Sequence, residues 1–517
     1  MNLSINTRSL RILNNLLILV ILVILIRTAW VNDDAYITIR SVDNFVNGNG
    51  LVYNLGERVQ SFTHPLWLFI VSIPYFISRH AYYSLLFVSI LASMAAILVL
   101  RKRIVQNELA VLFGLLATIF SKAFIDYSTS GLENPLSHLL LVLFLVNFLE
   151  AENSPRKLFR LSLITALAGL NRIDLLVIYF PAIVIALKDT WSAHQSDWKK
   201  MLLNLFGGFS PLILWFIFSI LYYGFPFPNT AYAKIGAGIP KRILLGQGVQ
   251  YFINLLNMDT LTLLIILSGL AVAILAKKQK MTVIAIGILL YMGYILYIGG
   301  DFMSGRFFTA PFLAALILIM YSERISDFRS LLIPLTIVVT MGLVSPYPSI
   351  FSTAEYGQNR DDLFDKHQIA DERGVYYPGS GLLQVFPEGD LSTYEWEVQG
   401  IILEDADPPI AFLGSLGFIG YFAGPEMWCV DAYALVDPLL ARLPAEYEGY
   451  WRIGHFRRDF PSGYQETLMS QENRITDPDL HKFYDQLLLI TRGPIFDPQR
   501  LETIWKMNTG QFDYLLP

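Results

Sequence analysis

The sequence predicts an α-helical polytopic membrane domain of about eleven transmembrane helices over residues 1–345, followed by an extracytoplasmic mixed α/β domain over 346–517. Three observations carry that prediction. The 517-residue chain is 54% hydrophobic and 16% charged, too apolar for an ordinary soluble domain. Its first 345 residues hold repeated apolar runs of spanning length, separated by short Lys and Arg clusters. Beyond about residue 346 those runs stop, and Pro, Gly, Asp and aromatic residues become frequent.

The elements follow in order. Arg8 and Arg11 precede an apolar core as in a signal peptide, but the run ends at Thr28-Ala29-Trp30 with no small-residue cleavage site, so 12–31 reads as a retained anchor. Further spans are expected at 81–100, 108–125, 135–150, 158–171, 173–187, 202–223, 258–276, 281–299, 306–321 and 328–345. The run from Pro65 to Ser78 is short for a span, and counting it as one would place Arg101-Lys102-Arg103 outside. It is therefore assigned to an outer loop, 32–80, as a re-entrant or interfacial helix. That choice puts Arg101–Arg103, Arg156-Lys157, Lys199-Lys200, Lys277-Lys278 with Lys280, and Arg324 with Arg329 on the cytoplasmic side of the plasma membrane, with the C-terminal domain outside. In the tail, PIAFLG, GFIGYFAG and MWCVDAYALV read as strands, and LLARLPAEYEGYWRI and HKFYDQLLLITRG as helices.

A formal net charge of only −5, with the basic residues scattered between spans, excludes a nucleic-acid-binding face. The one cysteine, Cys429, forms no intramolecular disulfide and reads as a small buried hydrophobe. There is no GxxxxGK[ST] motif and no strand–GxGxxG–helix unit, so no nucleotide machinery is expected.

The same topology gathers ten polar residues near the outer face: Asp33, Asp34, Arg58, His64, Glu133, Arg172, Asp174, Lys234, Asp301 and Arg306. Adjacent carboxylates at a membrane edge are a functional candidate, and each raises the pKa of the other, which suits a general base near neutral pH. Catalysis outside the membrane without nucleotide chemistry points to a lipid-activated donor, a polyprenyl-phosphate sugar, whose phosphate departs. Asp33 or Asp34 would take a proton from an acceptor hydroxyl. Arg58, His64, Arg172, Lys234 and Arg306 are the candidates to hold the phosphate. A divalent cation bridging carboxylate and phosphate is chemically compatible, although no dense ligand motif is present and the metal requirement is unknown.

Each residue also has a structural reading. The acidic pair can cap a helix in solvent, Arg58 can pair with Glu57 or Asp43, and Glu133 can sit at the N-terminus of the helix beginning near Pro135. His64, just before Pro65, can serve only as a helix cap, and Lys234 as an interfacial anchor. Arg172 with Asp174, and Asp301 with Arg306, can be plain ion pairs. In the tail, His455, Arg457 and Arg458 read as solvated surface, and Trp428, Tyr433, Tyr450 and Trp451 mostly as core.

The ordered motifs DDAYITIR with NGNGLVYNLGERVQSFTHPLW, then SGLEN (130–134), NRID (171–174), PNTAYAK (228–234) and GGDFMSGRF (299–307), resemble those of lipid-dependent GT-C glycosyltransferases. With the tail segments GFIGYFAGPEMWCVDAYALVDPLLARLP and WRIGHFRRDFPSGY, the chain is most similar to the terminal arabinofuranosyltransferase family of mycobacterial and corynebacterial cell walls. The resemblance implies a GT-C catalytic domain with an extracytoplasmic C-terminal domain, taking arabinofuranose from a decaprenyl-phosphate donor to a cell-envelope polysaccharide or glycolipid acceptor. It implies Asp33 and Asp34 as the catalytic pair and His64, Arg172, Lys234 and Arg306 as lining the donor-phosphate pocket, with Glu133, Asp174 and Asp301 in support. A single displacement would invert the anomeric centre, whereas retention needs a carboxylate nucleophile or front-face attack. The rival reading is a transporter or flippase of lipid-linked sugars. Transporters place ionisable residues near the midplane and often carry inverted repeats; here the charges sit at span ends and no repeat is evident.

Overall fold

The computed structural model describes residues 6–517 except 104–106, 194, 323, 326, 353–355, 359–362, 387–394 and 448–450. The runs read as spans fall on helical segments, that at 108–125 divided between two helices and those at 173–187 and 306–321 opening on 3-10 turns. In chain order these and the intervening helices are α1 (Thr7–Thr28), α2 (Asp33–Val46), α3 (Pro65–Ser78), α4 (Ala81–Arg103), α5 (Glu108–Phe120), α6 (Lys122–Asp126), α7 (Asn134–Leu149), α8 (Pro155–Asn171), α9 (Leu176–Ala193), α10 (Trp198–Tyr223), α11 (Asn229–Ile235), α12 (Lys241–Met258), α13 (Thr260–Ala276), α14 (Gln279–Ile298), α15 (Thr309–Tyr321) and α16 (Phe328–Val344). Among the described residues α1, α4, α10 with its preceding turn, and α14 are long and apolar enough to cross a membrane. A fifth crossing arises if α12 and α13, bent by 108°, act as one. The helices α3, α5, α7, α15 and α16 are apolar but shorter. The chain is a multi-pass membrane protein with a mostly helical fold.

Helix α12 was not expected, because Gly246, Gln247, Gly248, Gln250 and Asn254 depress its hydropathy. Its buried positions, Gln247, Gly248, Tyr251, Asn254 and Leu255, nevertheless recur at helical spacing. The bend that follows sits at Asp259, whose carboxylate caps α13 by accepting from the Thr262 amide at 3.1 Å and the Thr262 hydroxyl at 2.6 Å.

The chain forms two compact units, each discontinuous in sequence. The first comprises Met1–Asn32, Leu85–Leu212 and Lys241–Gly389. Its helices pack through small residues: a Cβ on Gly269 of α13 would lie 2.6 Å from the Ala315 carbonyl oxygen of α15, so only glycine permits that backbone approach. Buried within this unit, Lys122 of α6 lies 2.5 Å from Asp126 and 3.1 Å from Asp371, and Arg373 lies 2.6 Å from Asp126. Asp371 and Arg373 belong to the start of α17 (Glu372–Ser380), which α18 (Leu382–Val385) follows.

The second unit comprises Asp33–Ser84, Ile213–Pro240 and Asp390–Pro517. Its tail carries α19 (Glu395–Glu404), β1 (Ile410–Leu413), α20 (Phe418–Phe422), β2 (Trp428–Asp431), α21 (Tyr464–Ser470), α22 (Pro478–Arg492) and α23 (Pro498–Asn508). The strands pair in parallel, with Ala411 opposite Cys429 and Phe412 opposite Val430. A core of Val430, Leu439, Leu440, Tyr464, Phe483, Leu487, Ile490 and Ile504 joins strand, loop and helices, and Cys429 is buried as expected.

Three expectations in the tail are corrected. The GFIGYFAG run is the helix α20, not a strand. The described part of LLARLPAEYEGYWRI contains only a 3-10 turn at Leu440–Arg442, after which the chain extends. Arg458 is not solvated but 1% exposed, because its guanidinium is drawn inward by the carbonyls of Leu443, Tyr433, Phe456 and Ala233. Tyr450 lies outside the described residues.

Candidate active site

Helix α2 opens on the acidic pair, which occupies its first turn, the end of a helix where negative charge is favoured. The two then differ. Asp33 is buried and fully engaged: Oδ2 accepts from the Ser415 hydroxyl at 2.8 Å and the Gly417 amide at 3.2 Å, and Oδ1 accepts from the Phe418 amide at 2.7 Å. Burial raises its pKa to about 6, aided by the charge of Asp34 and opposed by the three donated hydrogen bonds. Asp34, one residue on, is only half-buried.

The same contacts explain α20. Gly417 and Phe418 stand at its first turn, so the Asp33 carboxylate supplies the N-terminal cap from nearly 400 residues away in sequence. Two further side chains of this unit hold the segment. Arg40, two turns along α2 from Asp33, donates to the carbonyls of Tyr53 (2.9 Å), Gly420 and Met427, and the Tyr53 hydroxyl donates to the Leu416 carbonyl at 2.6 Å. The 415–420 segment is thereby fastened to α2 at both ends.

Thr38 lies one turn after Asp34 on the same helix face. Its hydroxyl is 2.7 Å from His64 Nε2, while His64 Nδ1 is 3.1 Å from the Thr63 hydroxyl. His64 also occupies the N-cap position of α3, but its side chain makes no capping bond there. Lys234, in the last turn of α11, is exposed. Arg58 spends its guanidinium on backbone carbonyls, those of Tyr222 (3.1 Å), Ile490 (3.4 Å) and Gly493. Glu57 pairs instead with Arg492 at 3.2 Å, and Asp43 accepts from the Tyr75 hydroxyl at 2.6 Å.

The other five candidates meet in the first unit. Arg306 reaches Glu133 at 3.0 Å and Asp301 at 3.5 Å; Arg172 reaches Glu133 at 3.6 Å and Asp174 at 2.6 Å. The Tyr291 hydroxyl donates to Asp174 at 2.6 Å, and the Arg172 guanidinium lies 4.7 Å from the centre of the Phe307 ring. Glu133 bridges the two arginines from the N-cap position of α7. Both structural pairings weighed from the sequence, Arg172 with Asp174 and Arg306 with Asp301, are thus present, and they are joined into one network.

Sequence reasoning missed Arg40, Tyr53, Ser415 and Gly417. Arg40 carried a signal, since seven residues from Asp33 is two helical turns. Ser415 and Gly417 carried none. Among the described residues no three His, Cys, Asp or Glu side chains are grouped to hold a metal ion.

No family model matches the chain. Two known proteins resemble it over most of its length. The terminal β-(1→2)-arabinofuranosyltransferase of Corynebacterium glutamicum is 23% identical, over 82% of this chain and 72% of that protein. The protein of the same name from Mycobacterium tuberculosis is 24% identical, over 84% of this chain and 81% of its own length. Among solved structures, ArnT from Cupriavidus metallidurans bound to undecaprenyl phosphate aligns with a TM-score of 0.47 and 11% identity, covering 81% of this chain and 86% of that one. Its apo form aligns at 0.44 and 13%, covering 84% and 77%. The similarity to terminal arabinofuranosyltransferases implied by the ordered motifs therefore extends over more than four-fifths of the chain.

Proposed function

We propose that the protein is an integral-membrane glycosyltransferase that moves a sugar, arabinofuranose in the most specific version, from a polyprenyl-phosphate donor to a cell-envelope glycan outside the plasma membrane. The observation that carries this reading is the likeness to two terminal arabinofuranosyltransferases across more than four-fifths of the chain. The geometry of the second unit supports a division of labour within the acidic pair. Asp33, with both oxygens occupied, is a positioning carboxylate that fixes the head of α2. Asp34 is the base, taking the acceptor hydroxyl proton as that oxygen attacks the anomeric carbon.

The bond from the anomeric carbon to phosphate oxygen breaks, and the lipid phosphate leaves with the electron pair. The exposed Lys234 is the cation assigned to that phosphate, and His64, joined through Thr38 to the Asp34 face of α2, is the further side chain assigned to it. Arg172 and Arg306 are already matched by Glu133, Asp174 and Asp301, and Arg58 by carbonyls. Their role in this proposal is to hold structure.

Transfer by the purified protein from a panel of polyprenyl-phosphate sugars, arabinofuranose included, to short glycan acceptors tests the reading. Turnover with one donor identifies the sugar. Lipid binding without turnover for every donor would favour a carrier of lipid-linked sugars.

A further inference from the structure

The last helix, α23, has two unlike sides. Arg500, Thr503, Ile504 and Met507 are buried, with Ile504 and Met507 part of the core of the second unit. On the other side Leu501 is 37% and Trp505 68% exposed, one turn apart, and Phe496 just before the helix is 77% exposed. Such large apolar side chains in a row on a surface have a partner.

The anchoring of α23 indicates which partner. The Arg500 guanidinium donates to the carbonyls of Leu221 (2.8 Å) and Tyr222 (2.9 Å), in the last turn of α10, and to those of Ile490 and Ile495. Asn508, at the far end of α23, donates to the Gly224 carbonyl at 2.7 Å. Both ends of α23 are therefore tied to the C-terminal end of a membrane-spanning helix. Helix α10 has 26 residues; its length of about 39 Å exceeds the ~30 Å hydrocarbon layer, which puts its end in the headgroup zone. Its last turns carry an outward apolar row, Ile213, Leu214, Ile217, Ile220 and Leu221, all exposed. The row ends at Leu221, whose own carbonyl Arg500 holds, so α23 is fastened where the exposed apolar row of α10 stops.

We propose that α23 lies in the lipid headgroup layer at the C-terminal end of α10, with Phe496, Leu501 and Trp505 inserted among the acyl-chain ends of that leaflet. Tryptophan suits this depth, since its ring is apolar and its N–H reaches water or a headgroup. The neighbouring Lys506–Glu502 pair, 2.7 Å apart, marks the water-facing edge of the helix. The docking would hold the tail of the chain against the bilayer, and it is independent of which reaction the protein performs.

Spin labels on the full-length protein in phospholipid nanodiscs test this. Cys429 is buried, and it is the one cysteine in the sequence. Labels can therefore be placed by single substitutions: Leu501→Cys, Trp505→Cys and Lys506→Cys, with Leu214→Cys as the lipid-facing standard. The ratio of accessibility to oxygen over a water-soluble nickel complex is expected to be several-fold higher at 501 and 505 than at 506, approaching that at 214. Equal nickel accessibility at 505 and 506 would overturn the proposal. So would a label at 501 or 505 shielded from both reagents, which would mean that the face is covered by protein. Two reporting positions on the same stripe keep the test decisive if one variant misfolds.

Discussion

At the scale of the residue, two neighbouring carboxylates with the same charge occupy different environments. Asp33 is buried beneath three donors, and its folded pKa of about 6 lies above the ordinary 3.8. The folded protein thus retains that proton more tightly than the unfolded chain. The stabilisation from the protonated group is complete below pH 3.8 and is lost as pH rises through about 6. Asparagine at this site does not titrate and presents an N–H₂ to at least one of the three donors. Asp33→Asn is expected to lower the melting temperature, by about 1–3 kcal/mol of stability, with the gap to wild type narrowing from pH 5 to pH 7. Thermal unfolding in detergent at a series of pH values measures both effects. Arg306→Ala is a contrasting case: it leaves Glu133 and Asp301 buried without one of their cations. A loss of about 3–5 kcal/mol is expected, and a smaller loss from Arg306→Lys in the same unfolding assay would separate charge from geometry.

At the scale of the element, α2 and α20 form one device, with Asp33 and Arg40 gripping the 415–420 segment. Gly417 makes it possible, because a Cβ there would collide with the Asp33 carbonyl oxygen and come within 2.6 Å of its Cγ. Gly417→Ala is therefore expected to cost about 1–3 kcal/mol, and to lower transfer beyond what the lost stability explains, because it displaces the residue beside Asp34. Activity assayed well below the variant's melting temperature distinguishes the two. How much of this was legible follows from where each signal lies. The acidic pair was readable as a candidate because two charges stand at the edge of an apolar run, but the helix it opens was not, since 32–80 reads as an outer loop and α2 is a helix over Asp33–Val46. GFIGYFAG was not, because a short apolar run suits strand and helix alike, and the choice was made by Asp33, almost 400 residues away. Helix α12 escaped because its polar residues hide it from a hydropathy search, although its burial has helical spacing.

At the scale of the whole molecule, the ten candidate residues divide evenly between the two compact units. Asp33, Asp34, Arg58, His64 and Lys234 lie in one, and Glu133, Arg172, Asp174, Asp301 and Arg306 in the other. Composition and span length made the multi-pass membrane fold legible, and ordered motifs made the family likeness legible. The discontinuous units were hidden because each is assembled from three stretches of chain, and composition records only neighbours in sequence. The Lys122, Asp126, Asp371 and Arg373 cluster was hidden in the same way, its two halves lying some 245 residues apart. The claim on which the functional account rests is that Asp34 takes the acceptor proton in a transfer from a lipid phosphate. Its most direct test measures sugar transfer and donor-lipid binding side by side for wild type, Asp34→Asn and Asp34→Glu. The account predicts that Asp34→Asn lowers turnover by about 10²–10⁴-fold while donor binding is retained, with partial activity in Asp34→Glu. Wild-type turnover in Asp34→Asn would contradict it.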